Sequence, residues 1–265
     1  MGSIIRYIIL TAMRDMLFIG LLVIVAAATG ISFMLGSTAL VEQQQMSLTY
    51  IAGSVRMILV VGNILFICFH IRRAFENKEI DLTLSRPISR TSFMIAYWLG
   101  FTILAFMLTI PAIAVMAIVT TANVQGLLFW GFTLLCEMAL VAAFALVSAL
   151  IMQSAVTSAL SCLAFYLLGR MMGFFILTVK SAPIALSGGV MEKIVWVMSK
   201  TLVVISCGFP RLDLFGKTSW LLYGMQFHDV YHRINHDLWI APLQTLIYIP
   251  LLLSVAIFDF KRKQF

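Results

Sequence analysis

An all-α integral membrane protein of six transmembrane helices is the fold class this sequence predicts, and three observations predict it. Apolar residues fill 62% of the 265 positions and charged residues 11%, with a mean hydropathy of +1.04; no soluble core absorbs so much apolar surface, so the bilayer must act as solvent. The apolar residues fall in runs long enough to span, about 20 residues each, and helices satisfy their own backbone in lipid. The runs lack the short alternation of barrel strands. Finally, the basic residues of the short flanks gather at the two ends and in one interior loop.

The elements follow in chain order. Over residues 2–14, Ile4, Ile5, Ile8, Ile9, Ala12 and Met13 recur at helical spacing with Arg6, Thr11 and Arg14 off that stripe, which predicts an amphipathic helix in the membrane interface. The first span covers 16–35. Its small residues Ala26-Ala27-Ala28 resemble a signal-peptide cleavage site, but Asp15 stands at its entrance and the run continues apolar to Leu35, so it reads as a span. A polar segment with Glu42 to Gln45 leads to a second span over 47–71, in which Arg56 must snorkel or pair. Residues 72–90 form the densest charge cluster and cannot cross lipid. No charge falls between Thr91 and Cys136, and Asn123 with Gly126 divides this stretch into spans over 92–118, containing Pro111, and 127–152. A fifth span covers 157–178 and a sixth 238–258. Between them, the outer loop 180–237 carries charges and prolines around apolar pieces, read as short helices on or dipping into the interface.

Basic residues set the orientation. Two lie at the N-terminus, five in the loop after the second span, none after the fourth and three at the C-terminus, and none in the short loops between the first and second or the third and fourth spans; the six between Lys180 and Arg233 oppose the assignment weakly, because a long loop translocates largely regardless of charge. Both termini are therefore expected in the cytoplasm of a multi-pass protein of the inner cell membrane. The formal charge of +7 fits anionic lipid headgroups, and nucleic acid is not implied. Cys68, Cys136 and Cys162 lie in apolar runs and Cys207 in a loop, without metal or redox spacing.

The interior loop carries the most specific pattern. Phe75-Glu76-Asn77-Lys78-Glu79-Ile80-Asp81-Leu82-Thr83-Leu84-Ser85-Arg86-Pro87-Ile88-Ser89-Arg90, leading into Phe93 and Leu99-Gly100, resembles the loop of ABC-2 type permeases, the type V exporter-like membrane subunits of ATP-binding cassette transporters. In that family an acidic start and a short amphipathic helix precede Leu-Ser-x-Pro-hydrophobic-Ser-Arg and the next span. A fainter echo, Phe209-Pro210-Arg211-Leu212-Asp213-Leu214-Phe215 followed by Leu222-Tyr223-Gly224, is similar to the family's outer segment before its last span. Where a Gly-Lys often enters the family's third span, this sequence has Ala96 and Tyr97.

The resemblance covers nearly the whole chain and implies one permease domain over 1–265. It implies that 76–84 is a coupling helix docking into a cytoplasmic ATPase, with Phe75, Ile80, Leu82 and Leu84 as apolar anchors and Glu76, Glu79, Arg86 and Arg90 setting orientation. Pro87 ends that helix, since the residue before proline leaves the helical region. The bland alternative is a topology-setting basic loop. The family also implies a second permease subunit, identical or paralogous, and alternating access in which ATP and magnesium are held by the partner ATPase. No cofactor is expected in this chain. Gly216-Lys217-Thr218 resembles the end of a phosphate loop, but Arg211 stands where its first glycine is required.

Weaker signals lie in the spans and the outer loop. Glu137 and Arg170 sit at similar depth, about 12 to 15 Å from the outer ends of their spans at the helical rise, so antiparallel neighbours can pair them as a structural bridge or a substrate contact. Asn63 and His70 read as interhelical hydrogen-bond partners. His228, His232 and His236 repeat every four residues, a spacing that suits zinc or copper and equally an ordinary interfacial helix. An ion-driven secondary transporter or a membrane enzyme component are the competing function classes; no convergent nucleophile and base supports the second.

Overall fold

The computed structural model describes residues 2–38, 43–80, 89–119, 124–181 and 234–262, and, between the fifth and sixth spans, 193, 196–198, 200–202, 204, 208–218 and 220–221. Helices α1 (Gly2–Arg14), α2 (Met16–Ser37), α3 (Gln43–Glu76), α4 (Arg90–Val119), α5 (Val124–Ile151), α6 (Ala155–Ser181) and α7 (Ile234–Arg262) account for nearly all of it. Six of them, α2 to α7, are long and apolar enough to cross a membrane. The chain is a multi-pass helical membrane protein.

Helix α5 forms the centre, packing against α3, α4, α6 and α7. Its sequence explains the position: Ala139, Ala142, Ala143, Ala145 and Ala149 are all buried, and small side chains let neighbouring backbones approach where lipid gives no hydrophobic drive for association. Polar side chains add interhelical ties. The Trp98 indole Nε1 donates to the Ala139 carbonyl at 3.0 Å, joining α4 to α5. Ser148 and Ser158 donate to each other's carbonyls at 3.0 and 3.3 Å, closing the short α5–α6 turn. By contrast α2, α6 and α7 keep broad apolar faces exposed, with Ile24, Leu168 and Leu246 at 55%, 49% and 72%.

Helix α1 is a separate amphipathic element, divided from α2 by a bend at Asp15. It buries Ile4, Ile8 and Ala12 against α4, where the missing side chain of Gly100 admits Ile8. Helix α3 overruns its expected span at both ends and stops at Glu76. Lys78 there takes a left-handed backbone (φ 55°), and the amides of Asn77 and Lys78 donate to the carbonyls of Arg73 and Phe75 at 2.9 and 3.1 Å, which closes the helix end. The expected helix over 76–84 therefore does not run on from Glu76: a turn at Asn77–Lys78 intervenes before helical backbone resumes at Glu79–Ile80. Helix α4 passes through Pro111 unbroken, and α7 through Pro242 and Pro250.

Candidate functional site

Two regions concentrate the charged and polar side chains that the apolar scaffold holds in place. The first lies inside the bundle. Arg56 on α3 and Glu137 on α5 each stand thirteen positions from the start of their helix, Gln43 and Val124, a depth of about 20 Å at the helical rise. Their side chains are 2% and 0% exposed, and the Arg56 guanidinium pairs directly with Glu137 Oε2. Arg170 on α6 reaches the same carboxylate more loosely, its Nη1 lying 3.8 Å from Oε1. The expected bridge between Glu137 and Arg170 is thus present as a long contact, but the closer partner is Arg56. Counted from Ser47, Arg56 stands nine residues into its expected span, about 13 Å deep and level with Glu137 and Arg170, so the pairing that its position calls for is found here.

Arg170 is held by backbone from the segment between α6 and α7. Its Nη1 donates to the carbonyls of Leu212 and Phe215 at 3.0 and 3.1 Å. Leu212 opens and Phe215 ends a 3-10 turn over Leu212–Leu214 whose two leucines are buried, so this turn enters the bundle beside Arg170. Glycines on the spans make room. A Cβ at Gly169 would come within 3.0 Å of the Pro210 carbonyl, one at Gly173 would strike the Asp213 carboxylate, and one at Gly126 would strike the Trp220 carbonyl. Gly216 itself adopts φ +60°, a conformation that costs other L-residues strain, and a Cβ there would fall on Arg56 Nη1. Arg211 pairs with Asp213 at 2.8 Å, and its amide accepts support from α7 by donating to Gln244 Oε1 at 3.1 Å. The small-residue spacing Gly169-x-x-x-Gly173 was the available sequence signal for this seat. Gly216 of the phosphate-loop-like tripeptide faces Arg56.

The second region is the face bearing α1 and the charged segment after α3. Ser89 caps α4: its Oγ accepts from the Ser92 amide at 3.1 Å. Arg90 caps the other end of the bundle's last helix, its Nη1 donating to the Phe260 and Lys261 carbonyls at 3.1 and 3.2 Å. The Tyr7 hydroxyl donates to Glu79 Oε2 at 2.6 Å, and Arg73 pairs with Asp15 at 3.3 Å, which together fasten α1 to the end of α3. Partial burial first, and then the bond to Glu79, raise the Tyr7 phenol above its usual range. Glu76 is exposed and pairs with Arg72 at 3.1 Å. Phe75 packs on the core and Ile80, at 2% exposure, belongs to it, so Ile80 is turned inward. A notch of about 410 Å³ adjoins this face, lined by Arg72, Arg73, Glu76, Gln153 and Ser154 together with the apolar Phe69 and Ala155. Leu82, Leu84, Arg86 and Pro87 lie outside the described residues.

The remaining expectations divide. Cys68 and Cys162 are buried free thiols and Cys136 is partly buried, whereas Cys207 lies outside the described residues. Asn63 is 1% exposed, yet neither its Oδ1 nor its Nδ2 has a partner, and His70 Nε2 likewise has none; His70 instead sits among the rings of Phe66, Tyr97 and Phe101. The interhelical bonds expected of these two are therefore not formed among the described residues. His228 and His232 lie outside those residues, and for His236 only the helical backbone of α7 is described. Comparison with known proteins adds nothing: no family model matches the chain, and none of the curated proteins matches it.

Proposed function

We propose that this chain is the membrane permease subunit of an ATP-binding cassette transporter of the ABC-2 type, working as an exporter in a dimer with an identical or paralogous subunit. A separate ATPase binds ATP and magnesium and docks on the face formed by α1 and the segment 72–90, with both termini on that cytoplasmic side. Nucleotide binding then shifts a two-state membrane assembly between inward and outward forms.

The observation that carries the reading is the loop Phe75 to Arg90 with its family-like order of acidic start, Pro87 and Ser89-Arg90. Its surroundings supply a mechanical reason for that order. Ser89 and Arg90 tie the loop to the ends of α4 and α7, and Tyr7–Glu79 ties α1 to it, so a push on this face reaches three helices at once. Exposed Glu76 and the neighbouring notch, with its charged and apolar lining, offer contacts to a partner.

Purification of the tagged chain from its native membrane tests the reading. A stoichiometric ATPase is expected to co-purify, and Glu76→Lys to weaken its retention while the permease remains monodisperse. Recovery of the chain without any nucleotide-hydrolysing subunit would reject it. The cluster of buried Arg56 and Glu137 with half-buried Arg170 favours one alternative, an ion-gradient-driven transporter. Substrate flux in liposomes containing this chain alone, driven by an imposed proton or sodium gradient, would select that alternative.

A further inference from the structure

The notch at the end of α3 is bounded by two kinds of surface. Phe69, Arg72, Arg73 and Glu76 follow one another at i, i+3, i+4 and i+7, so a single face of α3 supplies them, and Gln153 and Ser154 in the α5–α6 turn close the other side. Because that turn joins two spans, the notch lies where the bilayer gives way to water. Phe69 is 39% exposed, and directly after the lining residue Ala155 the apolar Val156 and Leu160 are 55% and 60% exposed, so lipid-facing surface begins at the edge of the notch.

Charge decides what the notch can hold. Arg72 commits only its Nε, to Glu76 Oε1 at 3.1 Å, and Arg73 only its Nη1, to Asp15 at 3.3 Å. A guanidinium carries five N–H donors, so both arginines keep donors to offer, and Glu76, 62% exposed, keeps its second oxygen. The two arginines balance Glu76 and Asp15, which leaves separate positive and negative groups without net charge. That pattern is complementary to a zwitterion, whose phosphate meets the guanidiniums and whose ammonium meets the carboxylate; a plain anion would face repulsion from Glu76. The apolar edge suits a group attached to acyl chains, and pockets with basic residues between spans seat phospholipid headgroups. We propose that the notch binds the headgroup of a zwitterionic phospholipid with a primary ammonium, the phosphatidylethanolamine class. The phosphate lies on Arg72 and Arg73, the ammonium on Glu76, and an acyl chain along Phe69 and the exposed face of α6. A choline headgroup has the same charges but no N–H for Glu76. The site goes beyond the docking of an ATPase and needs only that α3 and α6 cross a bilayer.

Photolabelling of the detergent-purified full chain, without any ATPase, tests it. The probe is phosphatidylethanolamine with a diazirine near the carboxyl end of one acyl chain, and labels are expected on Phe69 and on residues 152–160. Unlabelled phosphatidylethanolamine should displace them about tenfold more effectively than phosphatidylcholine, the low end for a hydrogen bond between charged groups because Glu76 is exposed. Glu76→Gln, a change at the surface, should bring the two lipids to within about twofold, and Arg72→Gln should weaken displacement by both about fivefold. Glycerophosphoethanolamine, the same headgroup without chains, should compete at least about a hundredfold less well, since it buries no chain; competition equal to the lipid's would assign the notch to a soluble phosphate ester and overturn the lipid assignment. Equal displacement by the ethanolamine and choline lipids on the unmodified chain, which needs no variant to fold, would overturn the proposal. So would stronger displacement by phosphatidylglycerol, labels absent from the notch, a preference that survives Glu76→Gln, or no loss in Arg72→Gln.

Discussion

Replacing Glu137 by Gln removes the carboxylate between Arg56 and Arg170 with almost no change of shape. The cluster of two arginines and one carboxylate then passes from a net +1 to +2. Arg56, 1% exposed, cannot recover hydration where it stands. Removing one partner of a buried ion pair typically costs about 3–5 kcal/mol, because the survivor stays charged and desolvated. The Arg170 contact adds little to that figure, since its side chain is 31% exposed and partly screened. Unfolding in mixed micelles titrated with dodecyl sulfate, followed by fluorescence of the five tryptophans, measures the loss. The single variant should lose about 3–5 kcal/mol, while Arg56→Met combined with Glu137→Met should lose much less, since apolar residues of similar volume replace such pairs at small cost. A single variant within about 1 kcal/mol of the parent, or a double variant equal to the sum of the singles, refutes the pairing as a structural element. A variant that folds and assembles normally but no longer transports would instead make Glu137 a substrate contact.

Three other outcomes are expected. Gly216→Ala should destabilise by at least about 1–2 kcal/mol in the same titration, from the left-handed backbone alone, with displacement of the Arg56 guanidinium in addition. Lys78→Gly should stabilise by up to about 1 kcal/mol, because the helix end there already requires φ 55°; a loss would mean that the lysine side chain is needed. Tyr7→Phe should loosen α1 by about 1 kcal/mol, read as increased mobility of a spin label at Arg6→Cys. Because the folded phenol titrates above its unfolded value of about 10, its contribution is complete below that pH and lost only as pH rises through the folded value. Mobility of that label should therefore stay flat from pH 6 to 9, and a change within that window would implicate another group.

The spans were legible because their signal is additive: each of α2 to α7 announces itself through about 20 apolar residues, and turn residues such as Asn123 divide the long run correctly. Helix ends were less so. Hydropathy falls at Gln43 to Gln45 although α3 begins there, and which of Arg56 and Arg170 lies closer to Glu137 depends on which helices neighbour α5, which a single sequence does not say. The segment between α6 and α7 resisted for a different reason. What seats Leu212 to Leu214 is not its own composition but the absence of side chains on another helix, at Gly169 and Gly173, and a single sequence does not say which segment fills such a gap. Asn63 was misjudged through a general expectation that polar side chains in spans pair between helices, which the geometry around Gly62 and Leu21 does not provide.

The seated residues 210–218 and 220–221 touch α3 through Gly216, α5 through Trp220, α6 through Asp213 and α7 through Arg211. It works like a keystone set among four columns. A tilt of one column alone breaks one set of contacts and leaves the stone in place, whereas expelling it strips Arg170 of both carbonyls together. Rearrangement at this end is therefore expected to be all-or-none, with the release of one short piece of chain setting its threshold.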